Sequence, residues 1–385
     1  MPETRTRGAP RRALSLFDST CLIVGIIVGV GIYRASPDIA KGAGGPAGLF
    51  ALWIAGGLLS LCGALCYAEL ASAYPREGGD YVYLGRAYGP WAGFLFGWMQ
   101  MTVVRPGDIA VVAFAFAAYA RPLLGSLAPL SGPPGEALLA ALAVLLMTAV
   151  HIVGVREGKW TQNALTVVKV LGLLAVAAAA LAAPAAAHRA PVFDPIPLGV
   201  ALILVLFTYG GWNEMAYVAA EARDPERNIV RALAAGTGAV LVLYLLINGA
   251  FLRALGHAGL AASAAPAADA LAAPFPRAGG TFASALVCVS ALGAVSGLIF
   301  AGARISYAVG VDHKAFRALG RWDERTGTPI RALVVQGGIA IGLIFLLRSF
   351  VNTILYTAAP VYAFYLATSL AVPVLRRREP GVPRP

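Results

Sequence analysis

Two segments of this 385-residue chain place glycines in the middle of long apolar stretches, where glycine weakens a helix. Segment 25–33 carries Gly25, Gly29 and Gly31, and segment 207–213 carries two adjacent glycines. Glycines in membrane helices often serve close packing, and Gly25 and Gly29 have the four-residue spacing of that motif. Gly29 and Gly31, only two residues apart, do not share a helix face. We therefore interpret both segments as interruptions of a helix.

An interrupted helix leaves backbone N–H and C=O groups without helical partners, and in hydrocarbon such groups must bind something else. A carboxylate suits the N–H groups at the start of a half-helix, where the helix dipole also favours an anion. An ammonium group suits the carbonyls on the other side of the break. No charged side chain lies inside either segment, and Glu214 just follows the second. The pattern predicts a site for a small solute that carries both charges.

The elements that would position these segments are membrane-spanning helices. Hydrophobic residues make up 59% of the chain and charged residues 13%, which is too apolar for a water-soluble globule. A spanning helix needs about 20 mostly apolar residues. Ten stretches qualify: 14–39, 46–74, 88–120, 135–153, 162–183, 197–220, 231–252, 280–309, 330–348 and 351–375.

Basic residues indicate the orientation of these spans. With the N-terminus in the cytoplasm, the segments on that side hold 21 of the 30 Lys and Arg residues, and the outer segments hold seven. This bias predicts a multi-pass protein of the cell's inner membrane with both ends cytoplasmic.

The spans also divide into two equal sets. Because five is an odd number, two halves of five spans have opposite orientations, and the glycine segments fall in the first span of each half. Interrupted spans at corresponding positions of inverted halves point to a transporter binding site. We predict an N-terminal tail, a first five-helix repeat, a second inverted repeat and a C-terminal tail, at 1–13, 14–183, 197–375 and 376–385.

Other classes of protein fit this sequence poorly. The four cysteines lie in apolar runs without metal-ligand spacing, so we predict no metal, cofactor or disulfide. The four histidines are scattered and no carboxylates pair within a span, which argues against an enzyme. The net charge of +11 lies in short gaps between apolar runs, so we expect no nucleic-acid partner. No ring of like charges suggests a channel filter.

Several motifs together resemble the amino acid–polyamine–organocation superfamily, and most closely its L-type amino acid transporter branch. The matching segments are 26–33, 66–70, 74–81, Arg105-Pro106, Lys169, 207–213, Glu221 and 224–229. Their order and spacing, over residues 14 to about 378, are more specific than any one of them. The resemblance implies an all-α integral membrane protein with the inverted five-plus-five helix repeat of leucine-type transporters, in which helices 1 and 6 are broken.

The resemblance also implies the residues of the site. The residues that would meet the substrate's charged groups are Ile27, Gly29, Val30 and Gly31 in span 1, and Phe207, Thr208 and Gly210 in span 6. Phe207 is similar to the family's gating aromatic over the outer side of the substrate, with simple packing as the alternative.

Lys169 lies in the middle of span 5. By resemblance its ammonium would lie among the broken carbonyls of span 1, where sodium-coupled relatives keep Na⁺; a lysine that reaches for the membrane surface is the alternative. An ammonium in that position implies sodium independence, and it leaves both proton coupling and simple exchange open.

Three departures from the family pattern stand out. Val30 occupies a position where relatives usually have serine, so a hydroxyl is lost while the amide is kept. The chain stops before the usual helices 11 and 12, and by resemblance we expect oligomer contacts or stability to differ from those of relatives. The loop at 121–134 has no cysteine, so we expect no covalent heavy-chain partner of the kind that animal relatives have.

Further polar residues are candidates for secondary roles. Arg105 and Asp108 share a helix face in span 3, and we expect either a structural pair or an outer-site contact. Glu69 and Glu221 lie at cytoplasmic helix ends and predict gate salt bridges, with solvated carboxylates as the alternative. Ser290 in span 8 can face the site, although helical serines more often bond their own backbone.

The sequence therefore predicts a secondary-active amino acid transporter that works by alternating access within the lipid bilayer. We expect a sodium-independent exchanger or a proton-coupled permease for small or neutral L-amino acids. A carrier of polyamines or other organic cations is one alternative, but it would want more carboxylates near the breaks than Glu214 alone. A transporter-like amino acid sensor is the other.

Overall fold

The structure is a computed structural model that describes residues 12–124, 132–183, 194–347 and 350–384. Within this described part the chain forms helices and two isolated β-bridges. The first half contains α1 Leu16–Ile27, α2 Gly31–Arg34, α3 Ser36–Gly42, α4 Pro46–Ala73, α5 Asp80–Tyr88, α6 Pro90–Met99, a π-helix at Gln100–Val104, α7 Arg105–Leu123, α8 Gly132–Val153 and α9 Val155–Ala182. The second half contains α10 Leu198–Thr208, a 3-10 helix at Trp212–Glu221, α11 Pro225–Ala262, α12 Pro266–Ala272, α13 Gly279–Asp312, a 3-10 turn at Lys314–Phe316, α14 Ile330–Leu347 and α15 Phe350–Arg378.

Nine helical stretches in the described part are long and apolar enough to cross a membrane, and they correspond in order to the first nine predicted spans. Helix α15 covers the region predicted as the tenth span but is not among these nine. Large apolar side chains such as Leu346, Trp91 and Val242 are exposed on the outside of the bundle. An apolar exterior of this kind is what a helix bundle presents to lipid.

Several predicted spans are shorter than the helices that contain them. Helix α9 begins at Val155 rather than 162, and α11 runs from Pro225 to Ala262 rather than from 231 to 252. Polar residues continue these helices beyond their apolar stretches, because a helix satisfies its own backbone groups whether its outer turns face lipid or water. Hydropathy detects only the apolar part.

Helix α13 forms the centre of the molecule, with 83% of its most apolar stretch buried. It packs against α1, α7, α8, α9 and α14. Its sequence is rich in glycine, alanine and serine, which lets neighbouring backbones and long side chains approach closely.

The third predicted span changes its helix type near Pro106. Pro106 has no N–H, and its ring clashes with the carbonyl one turn earlier, so the regular α-helical pattern cannot pass through it. The preceding residues, Gln100–Val104, adopt the wider π-helical turn, and α7 then begins at Arg105. The π turn places the Arg105 side chain at the middle of the span.

Both described ends of the chain lie at the same end of the bundle. Leu14 exchanges backbone hydrogen bonds with Glu221 and Arg223, each 2.9 Å long. Near the C-terminus Arg376 forms an ion pair with Glu69, and Glu379 forms one with Arg86. All these residues belong to segments that the charge bias assigned to one side, and we refer to this end as the predicted cytoplasmic end.

Candidate functional site

The first glycine segment interrupts its helix. Helix α1 ends at Ile27, Val28 has a non-helical ψ of 66°, and helical geometry resumes at Gly31. The amide of Gly29 closes a tight turn onto the Ile27 carbonyl at 2.8 Å. Within the described part, the amides at 30, 31 and 32 donate to no backbone carbonyl. Three free N–H groups therefore lie at the start of α2, which is a setting that favours a carboxylate.

The second glycine segment interrupts its helix by a different geometry. Helix α10 ends at Thr208, and Gly211 has a φ of +109° before the 3-10 helix begins at Trp212. Only glycine enters this region of backbone space without strain. In the described part, the amides at 211, 212 and 213 also donate to no backbone carbonyl.

The two interruptions cross each other in direct contact. A Cβ atom at Gly31 would lie 3.0 Å from Thr208 Cγ2, and one at Gly211 would lie 2.7 Å from Ile26 Cγ2. Gly25 has a separate role, because its missing side chain leaves room for Gln162 and Thr166 of α9. The first segment thus combines a packing glycine with glycines of the break.

Lys169 of α9 binds the carbonyl end of the first interruption. Its fully buried ammonium donates to the carbonyls of Gly25 at 2.7 Å, Val28 at 3.0 Å and Ser290 at 3.0 Å. An ammonium has three N–H groups, so this set of acceptors is complete. Gly293 of α13 makes room for it, since a Cβ there would lie 2.6 Å from the Lys169 nitrogen. The side chain reaches inward rather than to the membrane surface.

Tyr244 of α11 connects the two interruptions, and sequence reasoning missed it. Its hydroxyl lies 2.9 Å from the Ile27 carbonyl oxygen and 3.2 Å from that of Thr208. Its ring packs edge-on against Trp53. A single tyrosine in an apolar helix carries no sequence signal, because its hydroxyl acquires meaning only when two broken helices meet in front of it.

The other predicted site residues differ in their burial and in their hydrogen-bond partners. Ser290 is buried and its hydroxyl lies 3.3 Å from that of Tyr33, not on its own backbone. The Thr208 hydroxyl donates to the carbonyl of Leu204 in its own helix at 2.8 Å. Phe207 is 46% exposed on the surface of the bundle. Val30 is buried, and Gly210 closes a turn onto the Phe207 carbonyl.

Buried charges hold the 3-10 helix that follows the second interruption. Arg105 forms its ion pair with Glu214 at 2.9 Å, both side chains being almost fully buried. Sequence reasoning had considered Asp108 as the partner of Arg105, but the fold brings a carboxylate from another helix closer. Seven residues further on, Glu221 accepts two hydrogen bonds from Arg304, at 2.6 and 3.2 Å.

The partner of Glu221, Arg304, lies in the second half of α13. It is fully buried within α13 and also donates to the carbonyl of Phe300. The pairing with Glu221 compensates a guanidinium that hydropathy alone would place in water. The predicted pairing of Glu69 is also present, with Arg376 as its partner.

These features together define an all-α, multi-pass membrane protein of the transporter class. The chain matches the family described as amino acid permease over residues 14–385, and it belongs to that family. It is 29% identical to the b(0,+)-type amino acid transporter 1 of Mus musculus, over 97% of this chain and 78% of that protein. It is 31% identical to the large neutral amino acids transporter small subunit 2 of Oryctolagus cuniculus, over 100% of this chain and 74% of that protein.

A solved structure shares the fold. The crystal structure of MhsT in complex with L-phenylalanine superposes with a TM-score of 0.60 at 14% identity, over 95% of this chain and 88% of that one. This likeness places the chain among proteins with the leucine-transporter fold. The predicted superfamily is therefore confirmed, and the relatives are membrane transporters rather than enzymes.

Proposed function

We propose that this protein is a secondary-active transporter of small or neutral L-amino acids in the cell's inner membrane. In this proposal ten spans form two inverted repeats, 14–183 and 197–375, with both ends of the chain in the cytoplasm. The observation that carries the proposal is the close contact of two interrupted helices, whose amides at 30–32 and 211–213 donate to no backbone carbonyl of the described residues.

The substrate's two charged groups fit the two kinds of backbone group at the crossing. A carboxylate accepts from the free amides at 30, 31 and 32 at the start of α2. An ammonium donates to carbonyls at the ends of α1 and α10. Because the peptide backbone supplies these contacts, valine at position 30 retains the amide that the site needs.

Two side chains support the choice of substrate and of coupling ion. Lys169 already donates to the carbonyls that would otherwise attract Na⁺, which supports sodium independence. Glu214 forms a buried ion pair with Arg105, which weakens its attraction for a polyamine. The relatives' printed names, which specify amino acids and large neutral amino acids, agree with a neutral amino acid.

Counterflow in proteoliposomes tests the proposal. Vesicles loaded with unlabelled L-alanine or L-leucine should accumulate the same labelled amino acid, and replacing Na⁺ with choline should leave the rate unchanged. A thermal-shift screen of the twenty amino acids run beside it identifies which of them bind. Binding without any exchange would indicate a sensor, and exchange of putrescine but of no amino acid would indicate a polyamine carrier.

A further inference from the structure

A cluster of three charged residues lies beside the second interruption and takes no part in the proposed backbone site. Arg105 and Asp108 lie in α7, and Glu214 lies in the first turn of the 3-10 helix that follows Gly211. Asp108 is close enough to interact electrostatically with both Arg105 and Glu214. One guanidinium therefore faces two carboxylates in the middle of the bundle.

This cluster has an excess of one negative charge when both carboxylates are ionised. Arg105 is the only cation of the described part within ion-pair distance of Glu214. The other titratable groups nearby are Asp80 of α5, Tyr67 of α4, Tyr217 of the same 3-10 helix and Tyr365 of α15. Arg304 of α13 is occupied by Glu221. A buried pair of carboxylates that shares one cation favours the uptake of a proton.

The Arg105–Glu214 pair is also only partly satisfied. It is joined by a single hydrogen bond, and the second Glu214 oxygen, Oε2, has no hydrogen-bond partner in the described part. The Arg105 Nε–H likewise has none there. By contrast, all three N–H groups of Lys169 are taken by carbonyls. A proton adds to this unpartnered carboxylate oxygen without first breaking a hydrogen bond, whereas the Lys169 ammonium already carries its three protons.

We propose that Glu214 is the proton-binding residue of a proton-coupled amino acid transporter, and that Arg105 exchanges its partner between Glu214 and Asp108. This inference rests on the proposed function. When Glu214 is ionised, Arg105 holds the 3-10 helix against α7. When a proton from the aqueous side adds to the Glu214 carboxylate, its charge is neutralised and Asp108, on the same helix as Arg105, compensates the guanidinium.

This exchange of partners removes the usual obstacle to separating a buried ion pair. Breaking such a pair normally leaves an uncompensated charge in the interior, which is strongly unfavourable. Here Asp108 lies three residues from Arg105, so the guanidinium keeps a carboxylate whether or not the 3-10 helix moves. Gly211, with its positive φ, is the point about which that helix can pivot. Because Glu214 is three residues beyond Gly211, protonation and substrate binding act on the same turn of backbone.

A buried chain of polar contacts leads from this cluster toward the predicted cytoplasmic end, beginning with a cation–π contact and continuing through hydrogen bonds. The Arg105 guanidinium lies over the ring of Tyr217, whose hydroxyl donates to Asp80 at 2.7 Å. Tyr67 donates to the other oxygen of Asp80. Asp80 begins α5, which follows the loop after α4. This chain gives a protonation change at Glu214 a polar connection to the cytoplasmic side.

Proton flux measured together with counterflow tests the inference. In proteoliposomes that contain a trapped pH dye, uptake of L-alanine or L-leucine by the wild type should acidify the lumen and respond to an inward proton gradient. Glu214→Gln should abolish both effects while counterflow persists within about threefold, since exchange needs no net proton movement. Asp269→Asn, an exposed carboxylate on α12, is the matched control and should behave as wild type.

A second variant serves if Glu214→Gln does not fold. Asp108→Asn removes one negative charge beside Glu214, so the pH of half-maximal uptake should fall by about one unit. Wild-type counterflow without any proton movement would overturn the inference and leave amino acid transport standing. Proton movement that survives in Glu214→Gln, or a pH profile unchanged in Asp108→Asn, would overturn it as well. Absence of counterflow in the wild type would instead contradict the proposed function.

Discussion

The two interrupted helices carry similar glycine signals but are held in different ways. In the first, the backbone keeps negative φ values, and a cation inside the bundle, Lys169, binds the carbonyls at its end. In the second, Gly211 takes a positive φ, and no comparable cation binds its carbonyls within the described part. Ion pairs of Glu214 and Glu221 hold the following 3-10 helix instead.

This difference indicates that the first interruption is fixed more firmly than the second. A cation bound to three carbonyls from two helices fixes the first break at its centre. The second break has a glycine with positive φ, and the 3-10 helix that follows it is held at two points by side-chain ion pairs. Separating the Arg105–Glu214 pair breaks one hydrogen bond, whereas releasing Lys169 requires three hydrogen bonds to backbone carbonyls to open together.

Removal of Arg304 should have the largest effect, because it leaves Glu221 buried without a partner. We expect Arg304→Met to destabilise the protein by about 3–5 kcal/mol, measured by denaturant titration in mixed micelles. The control Arg86→Met breaks a largely exposed pair with Glu379 and should cost less than about 1 kcal/mol. Equal losses of stability in the two variants would show that the Arg304–Glu221 pair does not hold the 3-10 helix.

Removal of the Lys169 ammonium should have the next largest effect. Lys169→Met leaves three carbonyls without a donor, each worth about 1–3 kcal/mol when buried. Methionine carries no charge to bury, which offsets part of this cost. We therefore expect a net decrease in stability of about 3 kcal/mol and the loss of most counterflow activity. Lys41→Met, in a partly exposed pair with Asp38, is the control. Full counterflow activity in Lys169→Met would contradict the idea that a bound cation fixes the first interruption.

A methyl group at the pivot should have a smaller effect. In Gly211→Ala the side chain is forced into left-handed backbone geometry and against Ile26, for an expected loss of about 2 kcal/mol. Gly238→Ala provides a control of opposite sign, because that helical glycine of α11 has open space around it and alanine should add about 0.5–1 kcal/mol. Melting temperatures of the two variants should therefore move in opposite directions.

The smallest effect concerns Glu77, near the Glu221–Arg304 pair. Burial raises the pKa of Glu77 to about 7, with the nearby Glu221 adding to the shift. Because the folded-state pKa is raised, stability is fully present below the carboxyl's ordinary pKa near 4.5 and is lost as pH rises through 7. Glu77→Gln should remove about 1 kcal/mol of that loss. Wild-type and variant melting curves that stay parallel from pH 5 to 8 would contradict this.

Sequence reasoning singled out the two glycine segments and Lys169 but not the contacts that join them. Glycines inside apolar runs and a lysine within a span are visible one residue at a time, so they could be predicted. The interhelical partners could not, because Tyr244, Gly293 and Gly302 look like ordinary residues of apolar helices. Gly302 leaves room for the Arg105 side chain, which only the packing of α7 against α13 makes evident.

The sequence alone determined that the chain is a membrane helix bundle, where most of its spans lie and which two of them contain glycine segments. Those properties follow from the cost of polar groups in hydrocarbon, which each stretch of sequence meets by itself. Only the tertiary structure decided which carboxylate compensates each buried cation, so that Arg105 faces Glu214 and Arg304 faces Glu221. The energy of a buried charge depends on distances between helices far apart in the chain, and no local pattern encodes those distances.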